Sequence, residues 1–262
     1  MAAELIARHR AAADLLIHEG SPHPGLVFER FARILELADD RYKLQPRARY
    51  GWLQEFLELA KPTEVRKAHL QDVHARLDVL TASKAGLRRE LPTVWRFVSG
   101  LGNPSASETG MAFDAACGVP HLPGSSVKGL TRAGAELADV EEQRIAAVLG
   151  RGPDNGDGGA AGGVVFLDAL PLRWPKLEID VITRHHDAEA LRDQKTPLDT
   201  NEPNPVHFLT VASREVFAFR LLPAWPEHKG QLDDAWRWLA HALKHLGAGG
   251  KTAVGYGQMS VT

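Results

Sequence analysis

Residues 247–257 read GAGGKTAVGYG, so five of these eleven positions are glycine. The segment follows a predicted helix over 233–246 and leads into a predicted strand over 253–261. Glycine lets the backbone approach other groups closely and leaves amide N–H groups free for phosphate, and Lys251 adds a positive charge. The candidate phosphate contacts are Gly249, Gly250, Lys251 and Thr252. The structural alternative is a helix cap followed by a bulged strand.

A second segment, residues 120–132, reads PHLPGSSVKGLTR. Its proline–glycine turn places serine at the start of a helix predicted over 126–137. The amino terminus of a helix carries free N–H groups and a partial positive charge, so hydroxyl and basic side chains beside it suit an anion. The candidate residues here are Ser125, Ser126, Lys128 and Arg132. A plain helix cap with unrelated surface charges is the alternative.

The remaining apolar patterns place these two segments in one fold. Runs of β-branched and aromatic residues predict strands, and amphipathic spacing predicts helices. The predicted strands cover 93–98, 164–167, 206–211, 216–222 and 253–261, and the predicted helices cover 126–137 and 233–246. If one middle run is a hairpin arm, the order is βαββαβ, which is typical of an α+β, ferredoxin-like (RRM-like) core. In that core the first helix and the loop before the last strand lie close together, so both segments could line one surface.

The first third of the chain has a different pattern. Apolar residues at helical spacing predict helices over 1–92, and the pattern changes at Pro92. The second of the four apolar stripes consists of Phe28, Phe31, Leu35 and Ala38. We therefore expect a helical amino-terminal region over 1–92 and a ferredoxin-like domain over 93–262. A polar insertion over 180–203 interrupts this domain, and a connection of that length is more often functional than idle.

Composition and charge exclude several classes of protein. The chain has 262 residues, 44% hydrophobic and 24% charged, which is the balance of a globular protein with a substantial core. No apolar run approaches the roughly 18 residues that span a bilayer, and the first residues lack the features of a secretion signal, so we expect a cytoplasmic protein. The net charge of −2 argues against coating nucleic acid by bulk charge but permits a local basic groove.

The motifs that would indicate a cofactor or metal are incomplete. Gly250-Lys251-Thr252 lacks the earlier glycine of a P-loop, because that position is His245, and the order of helix and strand is reversed. His185 and His186 are adjacent and lack partners at metal-binding spacing, so we expect solvated histidines. The single cysteine, Cys117, excludes an internal disulfide and a cysteine-based metal site. We therefore predict no cofactor, no metal and no catalytic residue.

The order of short motifs in the second part of the chain resembles the RAMP superfamily of CRISPR proteins. Besides the two segments above, the motifs are GLG at 100–102, ETG at 108–110, FLDA at 166–169, DVIT at 180–183, PLD at 197–199, PNPV at 203–206 and FL at 208–209. The series closely resembles the Cmr-type subunits that end the backbone of type III-B effector complexes, the sixth in their naming. The resemblance covers about residues 93–262.

The resemblance implies a non-catalytic subunit that binds the guide RNA backbone and holds the guide–target duplex for antiviral RNA targeting, while base pairing reads the target. It implies guide RNA and complementary target RNA as partners, with other Cmr-type backbone, small and capping subunits, and no membrane. Residues 180–203 would form a thumb that wedges into the duplex. The positive groups of this thumb would be Arg184, His185, Arg192 and Lys195.

Two other functions stay open on the sequence alone. Guide-processing endoribonucleases of the same superfamily have two ferredoxin-like units and commonly a histidine acid/base, for which His121 is the nearest candidate here. A protein-only scaffold is the second alternative. Cleavage of precursor RNA by the purified protein would indicate the endoribonuclease. Failure of the assembled complex to bind RNA would favour the protein-only scaffold.

Overall fold

The structure, a computed structural model, describes residues 22–32, 35–38, 41–44, 46–105, 107, 109–153, 158–184 and 204–261. The helices are α1 (Pro24–Arg30), α2 (Pro46–Leu59), α3 (Glu64–Ser83), α4 (Gly124–Leu137), α5 (Glu142–Leu149) and α6 (Leu232–His245). The strands are β1 (Leu35–Ala38), β2 (Arg41–Leu44), β3 (Leu87–Pro92), β4 (Gly150–Arg151), β5 (Ala160–Ala161), β6 (Val164–Phe166), β7 (Leu170–Pro171), β8 (Leu177–Arg184), β9 (Asn204–Val211) and β10 (Val216–Pro223). Two 3-10 turns cover Pro226–Gln231 and Thr252–Val254.

The main sheet is built around β10, which is buried along almost its whole length. On one side β10 is antiparallel to β3, with Phe217 opposite Leu91. On the other side it is antiparallel to β6 and β7. An isolated antiparallel bridge from Thr93 to Met259 brings the end of the chain beside β3. The order across the sheet is therefore the Met259 segment, β3, β10, and then β6 with β7, and all neighbours are antiparallel.

Helices α4 and α6 cover one face of this sheet and pack closely on each other. They can approach because Gly134 faces the Trp238 carbonyl oxygen, where a Cβ atom would clash. Leu239 and Leu243 of α6 and Phe217 of β10 are fully buried in the same core cluster. Burying a side chain of this size contributes about 1.5–3 kcal/mol, so this layer supplies much of the fold's stability.

Helix α3 covers the opposite face through a buried polar network. Arg220 of β10 donates from Nε and Nη2 to Asp78 Oδ1, at 2.9 and 2.7 Å. The Arg220 Nη2 atom also lies 2.9 Å from Nδ1 of His74, whose Nε2 lies 3.0 Å from the Pro171 carbonyl oxygen. Burial lowers the pKa of His74, so the neutral imidazole accepts from Arg220 and donates to Pro171. A single guanidinium thus connects the helix to the sheet.

In the described part of residues 1–92, α1, α2 and α3 are helices, but β3 is a strand of the main sheet and the second apolar stripe is not helical past Phe31. Leu35 and Ala38 belong to the β1–β2 hairpin and not to a helix. The prediction was wrong there because apolar residues alternate with Glu36, a period that suits a strand. The first predicted helix, before residue 22, lies outside the described residues.

Two predicted strands are wrong. Residues 93–98 form only isolated bridges at Thr93 and Phe97, and the strand lies earlier, in β3. Residues 253–261 contain part of a 3-10 turn and one bridge at Met259. The closing strand fails because Gly255 and Gly257 have φ of +91° and +66°, outside the extended region. The predicted helices over 126–137 and 233–246 and the strands over 164–167, 206–211 and 216–222 are confirmed within a few residues.

The sequence left open which middle run is a hairpin arm, and the structure shows that it is β9, which pairs with β8. The β8–β9 hairpin runs from Leu177 opposite Val211 to Arg184 opposite Asn204. The first residues of the predicted insertion, 180–184, are therefore an ordinary strand. Residues 185–203, the rest of the thumb that the family resemblance implies, lie outside the described residues.

Candidate nucleic-acid interface

The amino terminus of α4 and the glycine-rich loop, residues 247–257, meet across a groove of about 350 Å³. The lining residues are Leu122, Ser126, Gly129, Leu130, Leu246, Gly247, Ala248, Gly249 and Thr252. The two segments of the sequence therefore line one surface, as predicted. The antiparallel packing of α4 on α6 produces this arrangement, because it sets the start of α4 beside the end of α6.

The glycine-rich loop is fixed by backbone hydrogen bonds to the segment that follows β3. Gly250 N donates to Val98 O at 2.7 Å, and Gly257 N donates to Arg96 O at 2.8 Å. A Cβ atom at Gly249 would clash with the Val98 carbonyl oxygen, and its φ of +83° favours glycine. The loop is therefore held tightly against its own domain while its other side borders the groove.

Several backbone N–H groups in or next to this groove have no acceptor among the residues that the structure describes. They belong to Gly249, Lys251, Thr252 and Ala253 in the loop, and to Ser125 and Ser126 in the first turn of α4. Gly249, Thr252 and Ser126 line the groove, and the other three are their neighbours in the chain. Unpaired N–H groups of a loop and of a helix start are the usual backbone contacts to phosphate oxygens. The groove therefore offers donors from both walls.

Lys251 is held at the edge of the loop by two aromatic rings. Its Nζ atom lies 5.3 Å from the centre of the Phe208 ring and 5.6 Å from that of Tyr256. Cation–π contacts of this kind contribute about 0.5–1 kcal/mol at exposed sites. Because Phe208 lies on β9, the lysine is positioned against the hairpin that leads to the predicted thumb.

A charged network ties Tyr256 to the base of the same hairpin. The Tyr256 hydroxyl donates to Asp180 Oδ2, which also accepts from Arg96 Nη1 at 2.6 Å. Arg96 Nε donates to Glu178 at 3.1 Å. Burial and the Asp180 carboxylate raise the pKa of Tyr256 to about 12. Burial alone would raise the pKa of Asp180, but the hydrogen bond from Tyr256 and the Arg96 charge bring it below its usual value.

The start of α4 is capped by a residue to which the sequence assigned no role. Gly124 N donates to Asp168 Oδ1 at 2.6 Å, and Pro123 itself provides no side-chain cap. A carboxylate at this position satisfies one of the free N–H groups of the helix. Ser125 and Ser126 remain exposed beside it. Only the motif FLDA at 166–169 could have pointed to Asp168, since the two partners are far apart in sequence.

Two predicted contacts lie away from the groove. Lys128 is exposed, but it follows Ser126 by two positions and so lies about 200° around the helix from it. Arg132 donates to Glu142 Oε1 at 3.2 Å and to the Gly150 carbonyl oxygen at 2.8 Å, which connects α4 to α5. Of the thumb residues, His185, Arg192 and Lys195 lie outside the described residues, as does the side chain of Arg184.

His121 lies beside this helix start, and its side chain is 13% exposed. Its Nε2 atom is 3.7 Å from Asp168 Oδ2, and Nδ1 has no partner among the described residues. The Ser99 hydroxyl donates to the His121 carbonyl oxygen at 2.6 Å. The carboxylate is thus near enough to orient the imidazole, a contact that the sequence did not reveal.

The described residues also bear on metal binding, on the reactivity of the single thiol and on membrane spans. Within the described ranges there is no cluster of three or more histidine, cysteine or acidic side chains that could hold a metal ion. Cys117 is buried, and burial raises the pKa of its thiol to about 12. Among the helices that the structure describes, none is long and apolar enough to cross a membrane.

The chain matches a known class of proteins. The family model of the RAMP superfamily matches residues 73–260, and the chain belongs to this superfamily. The chain is 26% identical to CRISPR system Cmr subunit Cmr6 of Pyrococcus furiosus (strain ATCC 43587 / DSM 3638 / JCM 8422 / Vc1), over 76% of this chain and 74% of that protein.

Two solved structures are also similar. The cryo-EM structure of the type III-B Cmr-beta bound to cognate target RNA contains a chain that matches with a TM-score of 0.63 and 23% identity. That match covers 98% of this chain and 87% of the other. The crystal structure of Cmr6 from Pyrococcus furiosus matches with a TM-score of 0.42 and 23% identity, over 68% of this chain and 98% of that one.

Proposed function

We propose that this protein is a non-catalytic subunit of a type III-B CRISPR ribonucleoprotein that holds the guide RNA by its backbone. The observation that carries the proposal is the groove between α4 and the glycine-rich loop, with unpaired N–H groups on both walls. Lys251, which directly precedes the lining residue Thr252, supplies a positive charge in the same loop. The similarity to Cmr6 supports the assembly, because that protein is named as a Cmr subunit.

The chemistry of the groove suits phosphates and not base edges. Backbone N–H groups and a lysine recognise phosphate oxygens, which are the same at every nucleotide. In this proposal the groove fixes the position of the guide, and base pairing between guide and target supplies the sequence specificity. The partners are then the guide RNA, its complementary target RNA and neighbouring Cmr-type backbone, small and capping subunits.

The proposal includes a finer assignment of the fold. We assign the main sheet to the ferredoxin-like βαββαβ unit, with α4 and α6 as its two helices. The antiparallel order of the Met259 segment, β3, β10 and β6 with β7 supports this, because it corresponds to strand order 4-1-3-2. In this assignment the β8–β9 hairpin is an insertion that carries residues 185–203 outward as the thumb.

The experiment that tests RNA holding compares salt dependence in two variants of the reconstituted complex. Replacing Lys251 by alanine removes one phosphate contact, so we expect weaker guide binding for every guide sequence and a salt slope that falls by about one unit. Lys67→Ala, an exposed lysine on α3, is the matched control. A loss that depends on guide sequence, or an unchanged salt slope, would contradict the proposal.

The endoribonuclease alternative also has an observation in its favour, the 3.7 Å approach of His121 to Asp168. A histidine oriented by a carboxylate can act as a general acid or base, but here its side chain is largely buried. We predict that the purified protein does not cleave precursor RNA. We also predict that His121→Ala leaves target cleavage by the complex unchanged. Site-specific loss of cleavage with RNA binding intact would favour the enzyme.

A further inference from the structure

An exposed apolar surface lies far from the groove, around Trp225. The tryptophan is 65% exposed, which is unusual for so large an apolar side chain. A hollow of about 370 Å³ adjoins it. The residues that line this hollow, here called the Trp225 surface, are Ser83, Lys84, Ala85, Pro223, Ala224, Trp225, Pro226 and Lys229. Val165, which is 44% exposed, extends the apolar area: it pairs with Leu222, whose side chain touches the Gly86 position.

The backbone of the Trp225 surface is fixed although the ring is exposed. Trp225 has an extended conformation immediately before the 3-10 turn Pro226–Gln231, and its carbonyl oxygen accepts from His228 N at 2.9 Å. Ala224 N donates to Gly163 O at 2.8 Å, which connects the segment to the residue directly before β6. Because this platform is already ordered, docking on it costs little backbone entropy.

The charges on the Trp225 surface are positive. Lys84 at the end of α3 and Lys229 in the 3-10 turn are both exposed. In the part of the chain that the structure describes, neither lysine has a carboxylate within ion-pair distance. Glu227 is exposed nearby but does not line the hollow. A complementary partner therefore presents an apolar group flanked by carboxylates.

The Trp225 surface and the RNA groove are at opposite ends of the domain. Helix α6 starts directly after the 3-10 turn of the Trp225 surface and ends at the glycine-rich loop. Its 14 residues span about 21 Å, at a rise of about 1.5 Å per residue. A guide held by the loop therefore does not reach Trp225, so the Trp225 surface is not part of the groove.

We infer that the Trp225 surface docks a segment of a neighbouring protein subunit, with an apolar side chain on Trp225 and carboxylates on Lys84 and Lys229. A rigid exposed tryptophan in an apolar hollow with a polar rim is the usual composition of an interface hot spot. This inference rests on one part of the proposed function, membership of a complex with other Cmr-type subunits, and not on RNA holding. RNA is the disfavoured occupant, because the groove that offers phosphate donors lies at the other end.

The test uses zero-length carbodiimide cross-linking of the purified complex, which joins lysine amines to carboxylates that touch them. We expect cross-links from Lys84 or Lys229 to Asp or Glu of another subunit. Trp225→Ala should lower the yield of these cross-links at least tenfold, and also the amount of that subunit recovered with the complex. The bound RNA should be retained. Trp95→Ala removes a tryptophan that is 48% exposed elsewhere and is the matched control.

Several outcomes would overturn the inference, and they differ from failure of the proposed function. Cross-links that join only copies of this chain, ultraviolet cross-links from Trp225 to RNA, or no effect of Trp225→Ala would each reject it. The double variant Lys84→Glu and Lys229→Glu gives a second test, because it reverses the two charges and leaves Trp225 in place. Unchanged recovery of the neighbouring subunit in this variant would also contradict the inference. If the wild-type complex contains no RNA but the subunit cross-links persist, the proposed function fails and the docking inference stands.

Discussion

The sequence identified Lys251 as a candidate phosphate contact, but it did not identify the two aromatic residues that position the lysine. The lysine has φ of +58°, an uncommon conformation for a residue with a side chain. Its ammonium group lies over Phe208 and Tyr256, which come from a hairpin and from the loop itself. The surrounding glycines predict a loop that binds an RNA backbone. No local sequence pattern predicts that the two aromatic rings contact the lysine.

The role of the rings can be separated from the role of the Tyr256 hydroxyl by two variants. Tyr256→Phe keeps a ring under Lys251 and removes the hydrogen bond to Asp180, so we expect RNA affinity within about twofold of wild type. Tyr256→Leu removes the ring as well, and a lost cation–π contact of about 0.5–1 kcal/mol predicts a further loss of roughly two- to fivefold. Guide-binding titrations at fixed salt give both numbers.

The stability of the two variants provides the control for that comparison. Both lose the hydrogen bond to a charged acceptor, so we expect the free energy of unfolding to fall by at least about 1.5–3 kcal/mol in Tyr256→Phe, and further in Tyr256→Leu because ring packing is also lost. If Tyr256→Phe weakens RNA binding as much as Tyr256→Leu does, the hydroxyl and not the ring positions Lys251.

At the scale of elements, the sequence predicted the helices and loops whose form depends on local periodicity. The amphipathic helices α4 and α6 and the glycine-rich loop between α6 and the chain end were predictable, because each is encoded by neighbouring residues. β3 was not predictable, because its sequence LRRELP contains three charged residues and lacks the apolar run of a buried strand. The Asp168 cap and the approach of His121 to it were not predictable either, because tertiary packing brings these positions together.

The same distinction applies to the candidate site. The groove unites Ser126 of α4 with Gly249 and Thr252, as the motif order indicated, but Ser125 does not line it. Lys128 and Arg132 share the helix but not the face, and spacing on a helix could have shown that they diverge from Ser126. The contact of Arg132 with Glu142 and Gly150 shows that it serves the packing of α5. Proximity in sequence was therefore a poor guide to which basic residues face the groove.

At the scale of the whole molecule, the helical amino-terminal region and the sheet are connected by buried charge. Arg220 is fully buried and binds Asp78 and His74 on α3. Removing one partner of such a network costs several kcal/mol, because the remaining charge loses its compensation. We therefore expect α3 and the sheet to unfold together and not as independent units.

This connection predicts how stability depends on pH. Burial lowers the pKa of His74 below its value in the unfolded chain, so between the two values the unfolded state binds more protons. Stability is then fully present above about pH 6.5 and falls as the pH drops below it. A protonated His74 also cannot accept from Arg220, and Asp78 and Arg88 are the other charges that face it.

The measurement is the free energy of unfolding by denaturant between pH 7.5 and 5.5. His74→Gln keeps an acceptor for Arg220 but cannot titrate, so its pH slope should be shallower than that of the wild type over this interval. His245→Gln, at the exposed end of α6, is the matched control for the loss of a histidine. Equal slopes in wild type and His74→Gln would show that the contact between α3 and the sheet does not depend on the neutral imidazole.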